Sequence, residues 1–234
     1  MAEKSALHTL ELLGAKQWSL VTTAQAAAHG VSRQTLSQLN RAGVIHRIRH
    51  GVYRLPSTGH EYALDAKAAW LALGSEAHAP RYTTLALSHE AAADFHRLGT
   101  LIPNGLDFTS TEAKRISDPR IRVTVAPLPD SDVSWVRGFP VTSVARTVHD
   151  LAARGHEFEH LAEVATDAWR KEGVTAASLS TALEETALDY GFESGGDFFT
   201  ALLSQGVSID DIEEVEENFK LLQKTGLITP SVHV

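Results

Sequence analysis

The sequence predicts an α+β protein, with an N-terminal helix-and-hairpin part followed by a mixed domain that has a small sheet and a helical C-terminal half. Three observations support this fold class: a helix-rich segment followed by a hairpin pattern fills the first 58 residues, strand-like runs separated by Pro, Asp and Gly follow, and helical periodicity dominates from Ser143 onward. Strands followed by helices are typical of the α+β class. We expect three parts: the helix-and-hairpin domain at residues 1–58, an α+β domain at 59–183, and an acidic helical tail at 184–234 that packs on the α+β domain.

The composition limits the environment in which the chain can work. No window approaches the roughly 18 uncharged apolar residues of a membrane-spanning helix, so no membrane partner is expected. The N-terminus lacks a basic head followed by an apolar run, which argues against a secretory signal. The sequence has no cysteine, which excludes disulfides, thiol nucleophiles and cysteine-ligated zinc. These features fit a reducing cytoplasm, where we expect the protein to be located.

Charge is unevenly distributed along the chain. Residues 1–58 hold seven basic and two acidic residues, a net +5, whereas the whole chain carries −8 and the remainder therefore −13. Between Glu11 and Glu61 there is no Asp or Glu. Since an acid would repel a polyanion, this gap favours a phosphate-facing surface. The alternative is a chance basic stretch on a soluble domain.

The first two helices are short. Leucines at three-residue spacing predict a helix over about residues 5–14, ended by Gly14. Residues 18–21 have strand character, and Thr22 with Thr23 can cap a second helix, AQAAAHG, that ends at Gly30.

A third helix is predicted from the N-cap candidate Ser32 to Gly43, with Leu36 and Leu39 pointing inward. Its outward face is continuous, polar and free of acids. Arginine can bind guanine in a bidentate manner, and glutamine can do the same to adenine. The composition is therefore that of a recognition helix, and the face comprises Arg33, Gln34, Ser37, Gln38 and Arg41.

A basic hairpin follows in VIHRIRHGVYRL, where Arg47 and Arg49 alternate with Ile48 and the chain turns at Arg49-His50-Gly51. Such a ribbon directly after a recognition helix is typical of a winged helix-turn-helix. We expect Arg49 to contact phosphate. In the alternative interpretation the winged helix binds a protein and its arginines are merely solvated. The predicted DNA-binding residues are Ser32, Arg33, Gln34, Thr35, Ser37, Gln38, Arg41, His46, Arg47, Arg49, His50 and Tyr53.

The middle and C-terminal parts alternate in type. A helix is expected over residues 60–80, with Leu64, Ala68 and Leu71 on one face. Ser88 is expected to cap another helix that runs through Arg97. Strands are predicted at residues 106–110, 121–126 and 133–137. Helices are predicted at about 143–154, 157–171, 175–189, 194–205 and 208–224.

Candidates for catalysis are weak. Ser88, His89 and Asp94 are the residue types of a triad, but one short helix cannot bring them together. Arg146 and Asp150 are spaced as an intrahelical ion pair or as part of a buried polar clamp. We therefore expect no enzyme and no cofactor. Without Cys or an HExxH pattern, solvated or packed histidines are favoured over a metal site at His149, His156 and His160.

Residues 184–234 carry eleven acids and two lysines, a net −9. Within IDDIEEVEENFKLLQKTGL, apolar residues from Ile209 to Leu222 form a stripe, and the acids at its start and lysines at its end suit a helix dipole. The segment is either a capping helix with a solvated acidic face, or it presents negative charge to a basic partner or competes with DNA.

Residues 21–55, VTTAQAAAHGVSRQTLSQLNRAGVIHRIRHGVYRL, resemble the winged-helix domain of AbiEi-type antitoxins of bacterial type IV toxin–antitoxin systems. ALSHEAAADFHRLGTLIP and GFPVTSVARTVHDLA are similar to two further stretches of that family, so the likeness covers roughly residues 15–180. The resemblance implies a transcriptional autorepressor whose N-terminal domain binds DNA and whose C-terminal region is needed for antitoxicity. It also implies a nucleotidyltransferase-like toxin that is neutralised without a necessarily stable complex.

The expected partner is double-stranded operator DNA with an inverted repeat, bound by a homodimer or cooperatively, because one winged helix reads only a few base pairs. One competing hypothesis is a protein-interaction module that binds a cognate toxin directly. Another is a stand-alone regulator without a toxin. An enzyme acting on a nucleotide is disfavoured because the expected site residues are missing.

Overall fold

The computed structural model describes residues 2–56, 63–74, 84–206 and Lys224. The chain forms two compact units. The first extends to Leu85 and includes Lys114–Asp118, and the second holds Ala86–Ala113 and the chain from Pro119 onward. Helices and small sheets occur in both, which confirms the predicted α+β class. In these described ranges no helix is long and apolar enough to cross a membrane.

Over the described residues, the first unit contains four helices and a three-stranded sheet, and the fourth helix follows the last strand. The strand order is β1-β3-β2, and both pairings are antiparallel. The strand predicted at residues 18–21 is found shifted toward Thr22, and the hairpin turns where the sequence indicated. The elements are α1 (Ala2–Gly14), β1 (Leu20–Thr22), α2 (Thr23–Ala28), α3 (Arg33–Arg41), β2 (His46–Arg49), β3 (Val52–Arg54) and α4 (Leu64–Leu73).

Local chemistry sets the ends of the short helices. Thr22 accepts a hydrogen bond from the Gln25 amide, and the Gln25 side chain accepts one from the Thr22 amide, which completes a capping box. Ser32 Oγ accepts from the Thr35 amide at 3.1 Å. Leu36 and Leu39 then face a core that includes Leu10, Val21 and Ile45. The inward face predicted for α3 is thereby confirmed.

The second unit is built on a mixed five-stranded sheet of order β6-β5-β4-β8-β7. Strands β5 and β6 pair in parallel, as do β4 and β8, whereas β7 and β8 form an antiparallel hairpin. The strands are β4 (Leu85–Leu87), β5 (Leu106–Ser110), β6 (Ile121–Val125), β7 (Val133–Val136) and β8 (Phe139–Thr142).

Helices of the second unit enclose one apolar core. Phe198, Phe199 and Leu202 of its last helix are fully buried there. That helix approaches the helix containing Ser180 so closely that a Cβ on Gly195 would lie 2.1 Å from the Ser180 carbonyl oxygen. The helices are α5 (His89–His96), α6 (Val144–Ala153), α7 (Phe158–Trp169), α8 (Ala176–Leu183) and α9 (Gly195–Gly206), with a 3₁₀ turn at Ala187–Tyr190.

The structure corrects several sequence predictions. Strands β4 and β8 were not predicted, since one has only three residues, all buried, and the other contains Pro140. The helix predicted over 175–189 ends at Leu183. Ser88 precedes α5 but does not cap it, because its hydroxyl contacts His89 Nδ1 at 2.8 Å. The helix predicted at 208–224 lies outside the described residues, Lys224 excepted.

Candidate nucleic-acid interface

Helix α3 presents the polar face that its spacing predicted. Arg33, Gln34, Gln38 and Arg41 are exposed, whereas Ser37 is half-buried. Because Leu36 and Leu39 hold the opposite face in the core, the exposed side chains point away from the first unit. The polar ends of these side chains are therefore accessible to a ligand as large as a nucleic acid.

The β2–β3 hairpin adds exposed cationic and imidazole groups. His46, Arg47 and His50 are exposed, and Tyr53 on β3 is half-buried. Arg47 Nη2 donates to His50 Nδ1 at 2.7 Å, so these two side chains are coupled at the tip. The pairing register shifts between Arg47 and Arg49, which marks a β-bulge.

An open cleft of about 570 Å³ lies between α3, the hairpin, the start of α2 and the end of α4. Four of the twelve predicted site residues line it together: Arg33, Arg47, His50 and Tyr53. The other eight do not line this cleft. None of the lining residues that the structure describes is acidic, and the remaining walls come from Thr22, Thr23, Ala24, Ala27, Gly51, Leu71, Ala72 and Gly74.

Hydrogen bonds fix the hairpin against α2 and α3. The Thr23 amide donates to the Gly51 carbonyl at 2.8 Å, which ties the hairpin tip to α2. The Arg47 amide donates to Asn40 Oδ1 at 2.9 Å, which ties β2 to α3. The sequence predicts only a capping role for Thr23, and it does not predict the contact of Asn40 with the hairpin. Their polar side chains beside the two helices were the only available signal.

Several predicted contact residues have side chains already engaged within the protein, among them Ser32, Thr35 and Arg49. Ser32 caps α3 and contacts Thr35 Oγ1 at 3.0 Å. Arg49 binds Asp65 and Asp118, and its side chain is only 8% exposed. This geometry does not favour the predicted phosphate contact of Arg49.

The polar groups of the second unit form internal networks. Arg146 donates to Asp150 Oδ1 and to Asp132 Oδ2, both at 2.7 Å, and to the Pro127 carbonyl at 3.0 Å. The spacing-based ion pair is therefore present, and it belongs to a largely buried clamp. His149 lies beside it, and its Nδ1 is 2.9 Å from the Ala182 carbonyl oxygen.

A second network links the sheet to α5 and the end of α6. Asp107 accepts hydrogen bonds from Arg122 and from Arg154, and Arg154 also contacts Glu90. Burial alone would raise the pKa of Asp107, but the two guanidinium groups outweigh it and lower that pKa below its ordinary value. His156 contacts Glu90 as well, at 2.9 Å.

The histidine next to this network has a lowered pKa. Burial lowers the pKa of His89 below 6.5, and the nearby Asp150, Asp107 and Glu90 carboxylates oppose that shift without overcoming it. Over residues 5–56, 63–74 and 84–206, no cluster of three His, Asp or Glu side chains is arranged to hold a metal ion.

Similarity to known proteins agrees with this arrangement at the N-terminus. Residues 9–56 match the model of a family described as "Transcriptional regulator, AbiEi antitoxin". The match includes α3 and the hairpin, and the predicted resemblance is confirmed over this segment.

The fold itself extends beyond that segment. The chain is similar to a solved structure described as "Crystal structure of RV2827C protein from Mycobacterium tuberculosis", with a TM-score of 0.52 and 16% sequence identity. The match covers 93% of this chain and 82% of the other. At this identity the likeness shows a shared fold. No curated protein is similar to the chain at a significant level.

Proposed function

We propose that the protein is a sequence-specific repressor that binds double-stranded operator DNA through α3 and the β2–β3 hairpin, and that it is the antitoxin of a type IV toxin–antitoxin system. The observation that carries the proposal is the cleft that Arg33 of α3 lines together with Arg47, His50 and Tyr53 of the hairpin, and whose described lining residues include no acid. The family of residues 9–56 supports the same function.

The two elements take different roles in this proposal. Helix α3 enters the major groove, where Arg33, Gln34 and Gln38 reach base edges. The hairpin acts as the wing, and Arg47 with His46 and His50 contacts the phosphate backbone. The net +5 of residues 1–58 supports attraction to DNA despite the −8 of the whole chain.

The remaining functional features follow from this role. A single unit reads few base pairs, so we infer two copies on an inverted repeat. We infer no catalysis and no cofactor, because the charged side chains of the two networks described in the second unit are paired with one another. The second unit then serves antitoxicity toward a nucleotidyltransferase-like toxin, without a necessarily stable complex, in the cytoplasm.

A reporter placed behind the protein's own upstream DNA tests the regulatory role. Expression of the chain should lower reporter activity, and Arg33→Ala and Gln38→Ala should restore it at equal protein level. Lys16→Ala is the matched control, because Lys16 is an exposed cation of the same unit that does not line the cleft. If the two α3 variants repress as well as the wild type, the proposal is wrong.

Growth of cells that express the neighbouring gene tests the antitoxin role separately. Co-expression of the full chain should relieve any growth arrest that the neighbouring product causes. If arrest persists at full expression of a chain that still represses the reporter, the antitoxin assignment is wrong and the regulator assignment stands.

A further inference from the structure

Arg49 of the hairpin has a tightly constrained cationic side chain. Its Nε and Nη2 donate to Asp65 Oδ1 and Oδ2 at 2.8 and 2.5 Å, a bidentate pair, and its Nη1 donates to Asp118 Oδ2 at 2.6 Å. The Arg49 side chain is 8% exposed, whereas that of Asp65 is 59% exposed. Asp65 lies in the first turn of α4, and Asp118 ends the segment Lys114–Asp118 that returns to this unit.

We infer that Arg49 is a positioning residue. By binding these two carboxylates, it fixes the hairpin against α4 and the segment Lys114–Asp118. It thereby determines the position of Arg47 relative to α3. The inference rests on the proposed function, since the hairpin position matters for DNA binding.

The β-bulge explains why Arg47 and Arg49 differ. In a regular strand, residues two apart lie on the same face. Here Arg47 pairs with Tyr53 and both line the cleft, whereas Arg49 pairs with Val52, which is buried, and neither lines it. The bulge between them therefore turns Arg49 away from the cleft and toward the carboxylates.

The contact places acids beside a hairpin that should approach phosphates. Two carboxylates, those of Asp65 and Asp118, bind the guanidinium of Arg49. Electrostatics alone predicts tighter DNA binding when Asp65 loses its charge. Positioning predicts the opposite, because the hairpin loses an anchor. The two explanations thus differ in the sign of the effect.

Titration of full-length variants with labelled operator DNA separates them. We expect Asp65→Asn and Asp118→Asn each to weaken binding about three- to tenfold, with an unchanged slope of log K against log salt. Arg49→Lys should behave in the same way, because lysine keeps the charge but not the bidentate geometry. Glu11→Gln is the control: it removes an exposed acid of the same unit and should not weaken binding.

Tighter DNA binding by the two acid variants would count against the inference. If Asp65→Asn and Asp118→Asn tighten binding, and Arg49→Ala flattens the salt slope by about one, then Arg49 contacts phosphate and is not a positioning residue. Two acids are varied because Asp118 makes further interactions of its own, so only an effect shared by both variants is assigned to Arg49.

Amide hydrogen exchange without DNA keeps this inference distinct from the proposed function. Exchange of the β2–β3 amides should be faster in Asp65→Asn and Arg49→Lys than in the wild type, and unchanged in Glu11→Gln. Unchanged exchange in all variants refutes the anchor even if the wild type binds DNA. Faster exchange in a protein that binds no DNA supports the anchor and refutes the proposed function.

Discussion

At the scale of single residues, discrimination between base pairs should depend on the exposed α3 side chains. Arg33→Ala or Gln38→Ala is expected to cost about 1–3 kcal/mol of binding free energy and to relax the preference at one base pair, because a bidentate contact to a base edge is lost. Competition titrations with singly substituted operators measure both effects. An equal loss on every sequence would contradict the assigned base contacts.

Arg47 should behave differently from the α3 residues. Its guanidinium lies at the hairpin tip beside His50, so we expect Arg47→Ala to weaken binding to all sequences alike. Loss of one phosphate contact should also flatten the slope of log K against log salt by about one. Binding isotherms between low and moderate salt test this, and a slope equal to that of the wild type would refute the contact.

The buried His89 predicts a pH dependence of stability. Because burial lowers its pKa below 6.5, the unfolded chain binds a proton there that the folded chain does not bind. The free energy of unfolding should therefore fall as the pH decreases from 6.5 toward the folded-state pKa. His96 contributes with the same sign, since burial also lowers its pKa.

His89→Asn isolates the first contribution, since asparagine tolerates the positive φ of 55° found there. We expect a shallower fall in stability below pH 6.5, measured by urea unfolding at a series of pH values. A fall as steep as in the wild type would show that His89 is not the group responsible.

The contrast between Arg47 and Arg49 shows what single-residue reasoning can miss. Simple alternation around Ile48 predicts that both arginines share a face, and the sequence contains no signal for the bulge that separates them. The absence of acids between Glu11 and Glu61 likewise holds along the sequence but does not hold in space. In the folded unit, Asp65 and Asp118 return to Arg49 from outside that stretch.

At the scale of elements, predictability followed the range of the interactions. The caps at Thr22 and Ser32 and the apolar face of α3 were predictable, because capping and periodicity involve residues within one or two turns. Strand β4 was not, because three buried residues carry no alternation and gain their partners from β8, more than fifty residues away.

Capping by Ser32 gives a prediction at this scale. Ser32→Ala should lower the free energy of unfolding by about 1 kcal/mol, because the Thr35 amide loses its acceptor. Ser32→Asp should keep the stability near that of the wild type, yet weaken DNA binding by placing an acid beside Arg33. Chemical denaturation and DNA titration of both variants test the pair. Equal stability of the wild type and Ser32→Ala would contradict the capping role.

At the scale of the whole molecule, the fold class and the N-terminal family were predictable, whereas the five-stranded sheet order was not. Sheet order depends on contacts distant in sequence, which periodicity does not encode. The proposed operator with an inverted repeat predicts two protected half-sites centred about 10 base pairs, or a multiple, apart. Footprinting of the upstream DNA would reveal them, and a single protected site would argue against paired binding.

The most direct test of the central claim is a fluorescence titration of the upstream DNA by the full chain at several salt concentrations, with a scrambled duplex of equal length beside it. The account predicts tighter binding to the upstream sequence and a linear fall of log K with log salt. It also predicts that Arg33→Ala loses the preference while Lys16→Ala keeps it. Equal affinity for both duplexes would contradict the account. So would an Arg33→Ala variant that still prefers the upstream sequence at about 100 mM salt, a typical ionic strength.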